Sequence, residues 1–408
     1  MKVKIRKKIC SGLVAAAMML TALPVNASAE MVEYSGNLPY SAKSAPFGKQ
    51  GSEKLTGVVK SFYDQQLKFC KEVSEGKRTG TEFKLELTKK VSVSKLSEYW
   101  EEANNAFVYE YPEYSFWLTG SEISASYYDE SKVISANINM VASNDYKGSK
   151  EKTVDSAKIK AAAANIKKGD KIAAKYEGKS DYEKIKGYCD EICALTEYNH
   201  AAAASMEGGN PWQIPWVFDG DPKTNVVCEG YAKAFYYLCK KGGVECFIAM
   251  GTANGGDHMW NIAIVDGKSF LVDITNTDGF DEDFEIDVDM PYVFLLKGAA
   301  DSNENGCTVK TPEKKISWKE GGKSYTYTVY AADVKYIYDD NTRNLYSKSL
   351  LTVSKSDYTV HTHKGEGEYK TNGSYHWKNC KTCGGVASFA SHKFDSKGVC
   401  EKCGAKKK

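Results

Sequence analysis

The stretch Asn225-Val226-Val227-Cys228-Glu229-Gly230-Tyr231-Ala232 begins an apolar-periodic segment that closes on Gly242-Gly243. Ala232, Phe235, Tyr236 and Cys239 recur at helical spacing and predict a helix with one apolar face. Lys240 and Lys241 stand where a helix C-terminus favours cations, and the Gly pair offers a left-handed stop. Thr224 or Asn225 is the expected N-cap. Cys228 therefore falls in the first turn, where unpaired amides and the positive helix end favour a thiolate and can hold an oxyanion. A Cys in a helical pattern is more often a small core residue. Its chemical reading depends on partners further along the chain.

His258-Met259-Trp260-Asn261-Ile262-Ala263-Ile264-Val265 reads as a strand, Asp266-Gly267 as a two-residue hairpin turn, and Lys268 through Ile274 as the returning strand. With that turn, Val265 pairs with Lys268, Trp260 faces Asp273 and His258 faces Thr275. His258 and Asp273 become diagonal neighbours on one sheet face, and imidazole and carboxylate can meet. A one-residue bulge in the turn would put them on opposite faces.

The runs Val227 to Ala232, Gly242-Gly243-Val244-Glu245-Cys246, His258-Met259-Trp260-Asn261 and Leu271-Val272-Asp273-Ile274-Thr275, in this order and spacing, resemble the core of the transglutaminase-like superfamily over roughly residues 181–278. The resemblance implies a papain-like α+β core. It also implies a Cys nucleophile at a helix N-terminus, with His and Asp on adjacent strands. Those roles fall on Cys228, His258 and Asp273. Thr196-Glu197-Tyr198-Asn199 resembles the short segment that precedes the nucleophile loop in that superfamily. Many of its members carry a Trp soon after the Asp-x-Thr step, where this chain has Asn276. Animal transglutaminases use a Trp indole on the oxyanion, a role that sequence assigns to neither Trp212 nor Trp216. The calcium sites of those larger enzymes have no match here.

The chain has 408 residues. Its first 29 show the three parts of a secretory signal: Lys2, Lys4, Arg6, Lys7 and Lys8, an apolar run from Ile9 to about Leu23, and the small-residue site Ala27-Ser28-Ala29. The run is too short for a membrane anchor and lacks a stop-transfer flank. Secretion, with no transmembrane anchor, is the expectation. Loss of the signal takes the net charge from +2 to −3, and ten Lys against four acids leave residues 358–408 at +6. An acidic body with a basic tail argues against a nucleic-acid binder and permits association of the tail with an anionic cell wall. Of twelve cysteines, seven remain after Cys10 and the four near the C-terminus are set aside. An odd number in a secreted chain leaves at least one thiol free.

Hydrophobic periodicity places an N-terminal α+β region at 30–150, with helices near 55–73 and 96–107 and strands near 83–87, 123–127 and 134–140. The aromatic run 109–117 reads as core or interface. A Lys/Ala-rich helix at about 155–177 opens the catalytic region 155–300, and Ser180 or Asp181 caps the next helix. Short Tyr/Val strands fill an extension at 301–357. The module 358–408 carries Cys380-Lys381-Thr382-Cys383-Gly384 and Cys400-Glu401-Lys402-Cys403-Gly404. Two such pairs suit a structural tetrahedral zinc ion on Cys380, Cys383, Cys400 and Cys403, with His376 and His392 able to replace one or two sulfurs. Two disulfides are the alternative. His361 and His363 read as exposed. The reading is a secreted cysteine-dependent acyl-transfer enzyme acting on a protein or peptide amide bond, by hydrolysis or by cross-linking. The alternative is an inactive surface binding or scaffold protein on the same fold.

Overall fold

The computed structural model describes residues 30–36, 49–129, 131–205, 208–278, 280–281, 286–287, 293–320, 323–329, 331–360, 365–371, 375–380 and 386–407. The secretory-signal reading of residues 1–29, His361, His363 and Cys383 fall outside them. Helices and sheets are mixed along the chain, an α+β arrangement. Among the described residues no helix is long and apolar enough to cross a membrane.

In the N-terminal region α1 (Gly57–Ser74) and α2 (Val93–Glu110) pack against each other beside antiparallel strands β1 (Glu82–Leu85), β2 (Leu118–Asp129) and β3 (Lys132–Ala142), with β3 between the other two. The spacing that predicts α1 buries Val59, Phe62, Phe69, Cys70 and Val73. The aromatic run is core: Tyr109, Phe116 and Trp117 are wholly buried.

Helices α3 (Ser156–Lys175) and α4 (Asp181–Cys193) lead to α5 (Cys228–Gly242) and pack on it. Ser180 caps α4 through a reciprocal pair with Glu183, satisfying two end amides. Helix α5 is central. Every residue from Gly230 to Cys239 is buried, including Lys233, because the sheet covers one side and α3, α4 and the short helices Ile214–Val217 and Pro112–Ser115 cover the rest. Burying side chains the size of Phe235 and Leu238 contributes about 1.5–3 kcal/mol each. Gly243 ends α5 at φ 72°, a left-handed C-cap.

Strands β4 (Cys246–Ala253), β5 (Gly256–Val265), β6 (Lys268–Val272), β7 (Gly306–Thr311) and β8 (Ala332–Tyr338) form one antiparallel sheet in the order β7-β8-β4-β5-β6. Two of its strands thus come from beyond residue 300. The β5–β6 register has the expected Val265–Lys268 pair, and Asp266 and Gly267 turn at φ 54° and 72°. Gly251 sits opposite both His258 and Tyr338 at φ 150°. A Cβ there would lie 1.8 Å from the Ile337 carbonyl oxygen, so only Gly lets β8 close on β4. Gly251→Ala is expected to lower the melting temperature by several degrees. Differential scanning calorimetry checks this; an unchanged melting point would show that the strand junction relaxes freely.

Candidate active site and C-terminal ligand cluster

Cys228 is the first residue of α5, whose N-cap is Val227. The expected caps are occupied elsewhere. Thr224 Oγ1 bonds Asp219 and the Asp221 carbonyl, and Asn225 Oδ1 accepts from the Glu197 amide at 3.1 Å. Asn199 pairs with Val226 and Asn225, so the 196–199 segment straps the loop before the cysteine. An apolar N-cap offers no side-chain oxygen to the first-turn amides. The Gly230 amide is taken by the Val227 carbonyl at 2.9 Å, so the amides of Cys228 and Glu229 are the first-turn donors left to bind at the thiol.

Turn 210–213 lies against this helix start. The Val227 amide donates to the Pro211 carbonyl at 2.9 Å, and Trp212 packs on Val227. Lys233, fully buried, pairs with Glu229 at 2.5 Å and donates to Gln213 Oε1 at 2.8 Å and the Trp212 carbonyl at 3.3 Å. Burial lowers the Lys233 pKa and the Glu229 charge opposes that shift. Lys233, within the apolar run Tyr231–Cys239 and four residues after Glu229, is the sequence sign of this clamp.

His258, in β5, meets the Asp273 carboxylate through Nε2···Oδ2 at 2.7 Å. That leaves Nδ1 as the ring nitrogen the carboxylate does not engage, and Cys228 acts on the same imidazole, helping to raise its pKa. Both His258 and Asp273 are buried, whereas Cys228 is partly exposed. Burial opposes charge on His258, but the Asp273 carboxylate and the Cys228 contact outweigh it and hold the imidazole pKa well above its ordinary value. Burial likewise opposes charge on Asp273, and His258, the Asn276 amide and Tyr336 outweigh it, keeping the carboxyl low. Both shifts run in the direction that favours the charged forms of the pair.

The expected return strand ends at Val272, so His258 does not face Thr275 as the extended hairpin would require. Asp273 instead caps the short helix Ile274–Thr277, its Oδ1 accepting from the Asn276 amide at 3.1 Å. An Asp followed by Thr and Asn competes for backbone donors better than it extends a ladder. The meeting with His258 survives because Asp273 leaves the sheet beside the end of β6.

Trp260 stacks at 5.6 Å on Tyr338 and lies 6.0 Å from the His258 ring, so it belongs to the core beneath the site. Trp216 is partly buried against the same core. Asn261 ties helix to sheet: its amide donates to the Ala232 carbonyl of α5 at 3.0 Å and to Phe247 of β4 at 3.3 Å. It fixes the strand of the imidazole against the helix of the thiol. Asn261→Leu is expected to cost about 1–3 kcal/mol, read by urea unfolding, since two buried carbonyls lose a donor. A cost below about 0.5 kcal/mol would contradict this anchoring role.

In the C-terminal module, β9 (Gly365–Thr371), β10 (Tyr375–Cys380) and β11 (Val386–Ser391) form an antiparallel sheet. His376 on β10 and His392 just past β11 meet Cys400 and Cys403 of the terminal turn, all four ligand atoms lying within 4.8 Å of one another. His376 Nδ1 is 3.5 Å from His392 Nδ1 and 3.5 Å from Cys400 Sγ, and Cys403 Sγ is 3.3 Å from His392 Nδ1. This cluster could bind a metal ion. Cys400 and Cys403 are free thiols. The Cys380 side chain and all of Cys383 lie outside the described residues.

No family model matches the chain. It is 32% identical over 111 residues to kyphoscoliosis peptidase of Homo sapiens, a match covering 24% of this chain and 16% of that protein. The Mus musculus protein of the same name matches to the same extent. The chain therefore spans less than a fifth of the curated relatives it matches. A solved structure described as that of a TGase aligns over 49% of this chain and 52% of its own, at a TM-score of 0.27 and 12% identity.

Proposed function

We propose that this protein is a secreted cysteine-dependent enzyme that cleaves amide bonds in a protein or peptide through a thioester. The observation that carries the reading is the buried His258–Asp273 pair at 2.7 Å, with Cys228 at a helix start that no side chain caps acting on the same imidazole. The Cys228 thiolate adds to the amide carbonyl carbon, and the first-turn amides face the oxyanion. The C–N bond breaks as imidazolium His258 gives its proton to the departing nitrogen. Water then adds to the thioester, His258 takes its proton, and the C–S bond breaks to release the acid and restore the thiolate. Asp273 keeps the imidazole in the required tautomer and stabilises its charge. The local likeness to a protein named as a peptidase supports hydrolysis. So does the burial of Trp260 and Trp212, which pack as core instead of standing over the thiol as an aromatic wall. The basic tail suits association with an anionic cell surface.

The test is incubation with a glutamine-containing protein and a labelled primary amine, scoring new termini and incorporated label. Hydrolysis dependent on Cys228 supports the proposal. Incorporation that outpaces hydrolysis would restore cross-linking, and neither product over a broad substrate set would favour the inactive scaffold.

We further propose that the C-terminal cluster holds structural zinc. Tetrahedral zinc has ligand–ligand edges of about 3.3–3.8 Å for nitrogen and sulfur donors. Three of the six separations, 3.3–3.5 Å, fall in that range, and all six lie within 4.8 Å. One ion per chain is expected by elemental analysis, lost in a His376→Ala, Cys403→Ser double variant. Retention of full metal content in that variant would reject this ligand set.

A further inference from the structure

The carboxylate that orients His258 is held by two side chains that lie in none of the sequence motifs. Asp273 Oδ2, the oxygen that meets His258, also accepts from the Tyr336 hydroxyl at 2.8 Å and from Asn276 Nδ2 at 2.6 Å. Asn276 Nδ2 lies 3.3 Å from the Tyr336 oxygen, so that hydroxyl accepts from Asn276 while donating to Asp273. Tyr336 is wholly buried on β8, 63 residues downstream, and reaches the site because Gly251 lets β8 close on β4. Its ring packs on Trp260 at 5.0 Å, a contact that Phe would also make. The hydroxyl is a separate matter: both of its polar contacts among the described residues are in this group.

A buried carboxylate with one partner can rotate and loses solvation; extra donors fix the rotamer and compensate its charge. We propose that Tyr336 and Asn276 are positioning residues of the acyl-transfer site. Through Asp273 they set the orientation of the His258 imidazole, and with it the ring's ability to take the proton of the Cys228 thiol. This rests on the reading of Cys228, His258 and Asp273 as the reacting set.

The experiment is the rate of Cys228 alkylation by iodoacetamide in the full chain, mapped by peptide mass, at pH 6 and pH 9. An ordinary thiol is well under about 1% ionised at pH 6, so alkylation there depends on a well-placed base, whereas at pH 9 most accessible thiols react. Wild type is expected to react at pH 6 far faster than Asp273→Asn. Tyr336→Phe and Asn276→Ala should each lower the pH 6 rate by about tenfold and leave the pH 9 rate within about twofold. Single variants that keep the wild-type pH 6 rate, while Asp273→Asn loses it, would refute positioning and leave the parent reading standing. So would an equal fall at both pH values, which marks packing damage. A wild type no faster at pH 6 than Asp273→Asn would sink the parent reading and the proposal together. Should Tyr336→Phe fail to fold, Asn276→Ala, at a partly exposed position, carries the same comparison.

Discussion

Cys228→Ala is expected to reduce amide cleavage to the uncatalysed background while the protein stays folded. The thiol at the start of α5 forms the covalent intermediate in this account, since the nearby Glu229 carboxylate is held by Lys233, and its loss removes the nucleophile. The remaining binding and oxyanion contacts cannot replace a bond to the carbonyl carbon. Ala occupies less space than Cys at a partly exposed helix start and is a good helix former, so circular dichroism and melting should change little. Retention of more than about a hundredth of the activity would place the chemistry elsewhere.

Asp273→Asn is expected to lower turnover by about 10³–10⁴-fold with near-native folding. The amide is isosteric, but it removes the charge that holds His258 protonated and admits the wrong tautomer. Its effect on stability has a defined pH window. The His258 pKa is raised in the folded state, so its contribution is fully present below the ordinary histidine value and is lost as pH climbs through the raised one. The Asp273 pKa is depressed, so its contribution is present above the ordinary carboxyl value and is lost as pH falls through the depressed one. Wild type and variant should therefore differ most in unfolding free energy from weakly acidic to neutral pH and converge at both extremes. Denaturant titrations across pH read this directly. A difference that stays constant with pH would show that the pair is not ionised in the fold.

Much of this site is legible from local pattern. The Asp266-Gly267 turn dictates the β5–β6 register because both positions need positive φ, and that register brings His258 and Asp273 to one end of the hairpin. The Gly242-Gly243 stop and the first-turn place of Cys228 follow from end chemistry in the same way. The N-cap is not legible locally. Thr224 and Asn225 are good caps in isolation, yet tertiary partners in Asp219 and the 196–199 strap claim their side chains. Tyr336 is hidden for a stronger reason. Its strand reaches the site through pairing with β4, some 85 residues away in the chain, and nothing in Ala332–Tyr338 announces that partner. Asn276 is visible only as a departure from the family pattern, and its role as a donor to Asp273 emerges once Asp273 is seen to leave the sheet. At the C-terminus, the paired Cys-x-x-Cys spacing makes four sulfurs the first choice, with His376 and His392 legible only as replacements for one or two of them. The hairpin register puts His376 opposite Thr371 and Ala390, and from there it turns towards the terminal knuckle.

The central claim is that Cys228 is the activated thiol of this chain. Among the described cysteines Cys193, Cys228 and Cys403 are partly exposed and the other six are buried, so three thiols compete for an electrophile. Limited labelling of the purified protein near pH 6 with a thiol-reactive amide probe, followed by peptide mapping, separates them. The account predicts label on Cys228 ahead of Cys193 and Cys403, abolished in Cys228→Ala and strongly slowed in His258→Ala. Label spread evenly over the three, or undiminished after Cys228→Ala, would contradict it.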